Sequence, residues 1–213
     1  MLDNILIYGG SFDPPHFGHI NTALAVQGHV QFERVIYLPC KSPVLKKPAT
    51  TSCEQRIQML KLALEAHPEF EIDLRETLHT TPSYMVNTLH SFRDEMGEKM
   101  SITILLGMDA FLQLPQWHTW HKLLELSHLL VIKRAKIVEE TMSEQLKTLL
   151  AKHQVFNATE LLEQPHGKIY QYNAGEYAIA SSDLRQKIQA GEDVHSFLPE
   201  LVCQYINKQK IYT

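Results

Sequence analysis

Gly9-Gly10-Ser11-Phe12-Asp13-Pro14-Pro15-His16-Phe17-Gly18-His19 is the stretch of this 213-residue chain on which the fold turns. It follows Ile5-Leu6-Ile7-Tyr8, a short apolar run that reads as a buried strand, and it precedes Ile20 to Val26, which reads as a helix. A glycine pair lets the backbone approach a ligand closely and adopt dihedrals that a Cβ forbids. The N–H groups at a helix start, with the helix dipole behind them, suit a phosphate. Two histidines three residues apart stand where that phosphate would lie. The stretch therefore reads as a place to hold a nucleotide's phosphates while one of them reacts.

Outward from this loop, strand-like runs alternate with helical patterns. Arg34 to Pro39 reads as a second strand, Phe70 to Leu74 as a third, Ser101 to Leu106 as a fourth ending at Gly107, then Leu129 to Ile132, and Ile169 to Tyr172 as the last. Thr51-Ser52-Cys53-Glu54 reads as a capping box, with Thr51 at the cap and Glu54 reaching back, before a helix with Ile57, Leu60 and Leu64 on one face. Ser83 is placed to cap a helix through Phe92, and Asp183 to Gln189 and Pro199 to Asn207 read as the closing helices. The alternation predicts an α/β fold: a Rossmann-like, doubly wound, mostly parallel sheet with helices on both faces. In such a sheet ligands bind beyond the carboxyl ends of the strands, near a topological switch point.

The length suits one substantial core, and 1–213 is read as a single domain. Hydrophobic residues make up 44% and charged residues 21%, an ordinary globular composition. The formal net charge of -4 leaves no global basic field for nucleic acid or a membrane, so anionic ligands must be met by local groups. Cys40, Cys53 and Cys203 are odd in number and far apart, which points to a reduced, cytoplasmic setting. The start of the chain, with Asp3 and Asn4 beside a four-residue apolar run, does not read as a signal peptide, and no apolar stretch approaches the roughly 20 residues that span a bilayer. A homo-oligomer is left open.

A second phosphate cradle is offered by Ile179-Ala180-Ser181-Ser182-Asp183-Leu184-Arg185. Two hydroxyls stand at a helix start, Ser182 in capping position, with a guanidinium one turn in. His118 and His121 have metal-ligand spacing but no third ligand beside them, and read as surface histidines. The spacing of His16 and His19 likewise lacks the third ligand that a metallohydrolase would need.

The run His16-Phe17-Gly18-His19 resembles the HxGH signature of a nucleotidyltransferase superfamily, and Ser181, Ser182 and Arg185 resemble its C-terminal SSTxIR segment, with Ala180 at the first Ser. Over nearly its full length the chain is similar to the bacterial nicotinate-nucleotide adenylyltransferases. Pro39 to Lys46 resembles their PxxxxPxxK-like segment, with Val44-Leu45 where Pro-His is usual. Pro82-Ser83-Tyr84-Met85-Val86-Asn87-Thr88-Leu89 resembles PSYTxDTL, with Met85 for Thr and Asn87 for Asp. Gly107, Asp109, Leu114, Trp117 and Trp120 fit GxDxxxxLxxWxxW.

The resemblance implies adenylyl transfer from ATP to nicotinate mononucleotide, giving deamido-NAD and pyrophosphate, with Mg²⁺ arriving on ATP and no dedicated metal site. It implies catalytic roles for His16, His19 and Arg185. ATP would be bound by Gly9, Gly10, Ser11, Phe12, His16, His19, Gly107, Asp109, Arg134, Ser181, Ser182 and Arg185. The mononucleotide would be bound by Lys46, Ser83, Tyr84, Met85 and Trp117, with Trp117 stacked on the pyridine ring and Trp120 left to packing. On this reading the C-terminal segment 179–213 completes the ATP site. An enzyme preferring nicotinamide mononucleotide or another phosphorylated acceptor, and a non-catalytic nucleotide sensor, are the alternatives.

Overall fold

The computed structural model describes residues 2–42, 51–78, 82–133, 142–175 and 179–213. Lys46, with Val44 and Leu45, and Arg134 lie outside the described residues. Seven strands form one sheet: β1 (Asn4–Gly10), β2 (Arg34–Pro39), β3 (Phe70–Ile72), β4 (Ser101–Gly107), β5 (His128–Ile132), β6 (Gln154–Val155) and β7 (Ile169–Tyr172). Their order is β3-β2-β1-β4-β5-β7-β6 and every pairing is parallel. The expected doubly wound parallel sheet is borne out.

Period-two alternation sends successive side chains to opposite faces. Leu6, Val35, Tyr37, Leu105 and Leu130 join one core, shared with α1 (Phe17–Val30) and α2 (Cys53–Ala63). Ile5, Ile7, Ile36, Ile104 and Val131 join the core on the other face. That second core is covered by α4 (Met85–Met96), which follows the short α3 (Arg75–Leu78), then by α5 (Met108–Leu112), α6 (Leu123–Leu126) and α7 (Glu144–His153). A short α8 (Glu160–Glu163) and the closing helices α9 (Ser181–Gln189) and α10 (Glu200–Gln209) return to the first face.

Several expected boundaries move. Ser52, not Thr51, caps α2, and Gln55, not Glu54, completes the capping box. The Thr51 hydroxyl instead donates to Asp13 Oδ1 at 2.6 Å. Strand β3 stops at Ile72 because the Asp73 carboxylate accepts the Arg75 N–H at 2.8 Å and turns the chain into α3. Tyr84 rather than Ser83 is the cap residue of α4, and that helix runs four residues beyond Phe92. Ala180 precedes α9 as its cap residue, so both Ser181 and Ser182 lie within the helix. The short β6 and helix α7, capped by Ser143, carry no expectation from the sequence reading. Among the described residues no helix is long and apolar enough to cross a membrane.

Candidate active site

The winding of the sheet reverses between β1 and β4, so the crevice at their carboxyl ends is the switch point where a doubly wound sheet takes its ligand. A cleft of about 480 Å³ opens there. Gly9, Gly10 and Ser11 line one wall, Gly107 and Asp109 another, and Ser83, Tyr84, Met85 and Trp117 the far side. Part of the expected phosphate side (Gly9, Gly10, Ser11, Gly107 and Asp109) thus shares one cavity with the expected acceptor side, while His16, His19, Ser181, Ser182 and Arg185 do not line it. The cleft also takes in Glu76, Gln113, Gln116 and His118, which the sequence reading did not assign to the site. His118 is exposed, as expected of a surface histidine, and its ring stacks on Tyr84 at 4.3 Å.

Beside the cleft, His16 caps α1 and His19 occupies its first turn. The His16 N–H donates to His19 Nδ1 at 3.2 Å. With Nδ1 accepting, the neutral His19 ring carries its proton on Nε2, which makes that atom the donor toward a ligand. The two imidazoles lie 3.8 Å apart, centroid to centroid. Gly18 is what lets them do so: a Cβ there would stand 2.9 Å from both Cε1 and Nδ1 of the buried His16 ring. A second constraint sits at Gly10, where a Cβ would come 3.0 Å from the Phe12 ring.

Phe12 itself is 1% exposed and takes a left-handed φ of 49°, with its ring against His19, Tyr8 and Tyr37. The expectation that it touches ATP is therefore confined to its backbone, because the side chain belongs to the core. The Tyr37 hydroxyl donates to the His19 carbonyl at 3.2 Å, anchoring the same turn from β2.

The C-terminal cradle lies against this loop. Ser181 donates its hydroxyl to the Pro14 carbonyl at 3.0 Å, Arg185 Nη1 donates to the Asp13 carbonyl at 2.7 Å, and the Phe17 N–H donates to the Phe197 carbonyl at 2.9 Å. Ser182 hydrogen-bonds Asp183 at 3.0 Å. Ser182 and Arg185 do not line the cleft. They line a second recess of about 530 Å³ with Thr51, Lys210 and Tyr212. Trp117 and Trp120 are both half-buried against the second core, but only Trp117 also lines the cleft.

Two buried ionisable groups complete the frame. Arg56, 1% exposed, donates from Nη1 to the Ser11 carbonyl at 2.7 Å, and from Nη2 to the Cys40 and Lys41 carbonyls at 2.8 and 2.6 Å. It ties the glycine loop to the segment after β2, a role that a charged residue in an amphipathic helix does not announce. Glu76 accepts the Thr88 hydroxyl at 2.7 Å, and burial raises its pKa above the ordinary glutamate value against the pull of the Thr88 and Ser83 hydroxyls. Burial likewise pushes the Cys40 thiol up to about 11, so the cysteine in the cleft is a protonated thiol at neutral pH. Among the described residues no group of three His, Cys, Asp or Glu side chains is placed to hold a metal ion.

Comparison with known proteins meets this geometry from a separate direction. The cytidylyltransferase-like family model matches residues 7–187. A curated relative from Legionella pneumophila (strain Paris), named "Probable nicotinate-nucleotide adenylyltransferase", is 46% identical over 211 residues, covering 99% of this chain and all of the relative. The chain belongs to the nicotinate-nucleotide adenylyltransferase family. A Methylococcus capsulatus relative of the same name is 38% identical, covering 97% of this chain and 98% of its own. Among solved structures, Plasmodium falciparum nicotinic acid mononucleotide adenylyltransferase complexed with NaAD superposes with a TM-score of 0.73, over 99% of this chain and 97% of that one. Its 20% identity makes that a likeness of fold. Family membership places this chain among the nucleotidyltransferases.

Proposed function

We propose that this chain transfers the adenylyl group of ATP to nicotinate mononucleotide, forming deamido-NAD and pyrophosphate in NAD biosynthesis. The observation that carries the reading is the shared cleft at the β1–β4 switch point. It joins the glycine loop to the Tyr84 and Trp117 side chains, so a phosphate and a planar ring are received in one cavity.

The attacking group is a 5′-phosphate oxygen of the mononucleotide, already anionic, so no base is required. It forms a bond to the α-phosphorus as the bond to the bridging β-oxygen breaks, and pyrophosphate leaves. The barrier lies in bringing two anions together and in the charge that gathers on the phosphoryl oxygens, so positioning and electrostatic stabilisation carry the catalysis. His19 donates from Nε2, His16 supports it, and the α1 amino end and the Gly9–Ser11 backbone receive phosphate oxygens. Asp109 accepts from ribose hydroxyls, and Ser181, Ser182 and Arg185 hold the β- and γ-phosphates. Lys46 and Arg134 are assigned to the acceptor and the adenylate by family resemblance alone. A magnesium ion arriving on the triphosphate would be held mainly by phosphate and water, and would supply neutralisation of the charge on the phosphoryl oxygens.

The hydrogen bonds from Ser181 and Arg185 to Pro14 and Asp13 support reading 1–213 as one domain whose segment 179–213 completes the ATP site. The unpaired cysteines and the soluble character of the substrates support a cytoplasmic setting. Pyrophosphate release, measured with ATP and each of the two mononucleotides in parallel, tests the reading. Turnover with the acid form well above that with the amide is expected. No release with either acceptor would refute it, and faster turnover of the amide would move the assignment to the nicotinamide nucleotide, at the place where Met85 and Asn87 depart from the family pattern.

A further inference from the structure

Asp13, 3% exposed in the loop that leads to His16, collects contacts from three distant segments. Thr51, just before α2, donates its hydroxyl to Oδ1 at 2.6 Å. Tyr212, in the C-terminal tail, donates its hydroxyl to the same oxygen at 2.5 Å across 199 residues of sequence. Arg185 donates to the Asp13 main-chain carbonyl at 2.7 Å while its Nη1 stands 3.9 Å from Oδ2. The tail is bent to make this contact: Lys210 and Tyr212 have φ of 51° and 65°, a left-handed region that non-glycine residues seldom occupy. Burial and the neighbouring carboxylate raise the Tyr212 hydroxyl's pKa well above the ordinary tyrosine value, so it is a standing donor.

A buried carboxylate must have its oxygens satisfied, or it draws in whatever donor can reach it. Here two hydroxyls serve one oxygen, and the guanidinium is held by the carbonyl at a distance from the other. Arg185 thereby keeps its fork toward the recess that it lines with Ser182. We propose that Tyr212 is a positioning residue for ATP: with Thr51 it donates to the Asp13 carboxylate, so that Arg185 stays directed at the triphosphate and keeps only its long, 3.9 Å ion pair with Asp13. This rests on the reading of Arg185 as a phosphate ligand. Without the Tyr212 hydroxyl the carboxylate loses one of its donors, and Arg185 tightens the 3.9 Å ion pair at the expense of its phosphate contact.

Tyr212→Phe tests this, since it keeps the ring and its packing and removes one oxygen. ATP affinity is measured calorimetrically without acceptor, followed by KM for each substrate and the melting temperature. The variant is expected to bind ATP roughly tenfold more weakly, the scale of one lost hydrogen bond to a charged group, with KM for the mononucleotide unchanged. Equal ATP affinity in wild type and variant overturns the proposal. So does a variant whose two KM values stay at wild type while melting temperature and active fraction fall together, which is the mark of a structural role. Thr51→Val removes the other hydroxyl and is expected to give the same ATP-selective loss, which keeps the test decisive if the tail variant fails to fold. A wild-type chain that binds ATP but forms no deamido-NAD sinks the proposed reaction and leaves this comparison intact; one that binds no ATP sinks both.

Discussion

Gly18→Ala adds a single methyl group where the two histidines meet. Its carbon would stand 2.9 Å from two atoms of the His16 ring, whereas ordinary contact begins at 3.4 Å, so the ring must retreat by about half an ångström. His16 is buried and packed 3.8 Å from the His19 ring, so the displacement passes to His19. Overpacking of this kind costs about 1–3 kcal/mol. Alanine in place of glycine inside a helix returns up to about 1 kcal/mol. The net loss of stability is therefore at most about 3 kcal/mol, a fall in melting temperature of no more than about 12 °C for a domain of this size. Catalysis answers to geometry more steeply: a misplacement of an ångström costs about a hundredfold, so half of one costs about tenfold. Pyrophosphate release at saturating ATP and mononucleotide should show kcat down by about tenfold, while calorimetry shows a protein folded well above the assay temperature. A variant with kcat within about twofold of wild type would refute the claim that the paired imidazoles must hold this spacing.

Three further outcomes follow from the same geometry. His19→Ala should lower kcat by roughly 10²–10³, the cost of one charge-stabilising donor, with the melting temperature little changed; near-normal turnover would remove His19 from the site. Trp117→Ala should raise KM for the mononucleotide far more than KM for ATP, and equal effects would count against stacking on the acceptor ring. His128, fully buried, shares hydrogen bonds with the Gln164 carbonyl at 2.7 Å and the Lys168 N–H at 3.0 Å, and burial lowers its pKa to about 4. Because the folded ring stays neutral while an unfolded one takes up a proton below about 6.5, the stability it contributes is complete above that pH. It falls by about 3 kcal/mol as pH drops toward 4. Urea midpoints across this range should decline less steeply in His128→Gln than in wild type; parallel declines would assign the acid sensitivity elsewhere.

What the sequence disclosed, and what it withheld, divides along chain distance. The glycine loop, the HxGH run and the strand–helix alternation are local patterns, and each is found where its pattern places it. Residues whose roles depend on distant partners were opaque. Arg56 looks like a solvated helix residue, yet it is buried and fastened to three carbonyls from the loops after β1 and β2. Nothing beside Tyr212 signals a hydroxyl bonded to a residue 199 positions away. His118 lies at the surface as its spacing suggests, but nothing local announces the Tyr84 ring stacked on it. Phe12 is the opposite case: its motif neighbours Gly9, Gly10 and Ser11 line the cleft, while its own ring, at a positive φ, lies in the core. The slip from Thr51 to Ser52 at the α2 cap has a similar origin. Either hydroxyl suits a cap, and Thr51 is taken by Asp13.

The central claim is that both ends of the chain grip a single triphosphate. A crystal structure with a non-hydrolysable ATP analogue measures this directly. The account predicts His19 Nε2 and the Arg185 guanidinium within hydrogen-bonding distance of oxygens on the same triphosphate. An analogue bound in the β1–β4 cleft with its phosphates out of reach of Arg185 would contradict it.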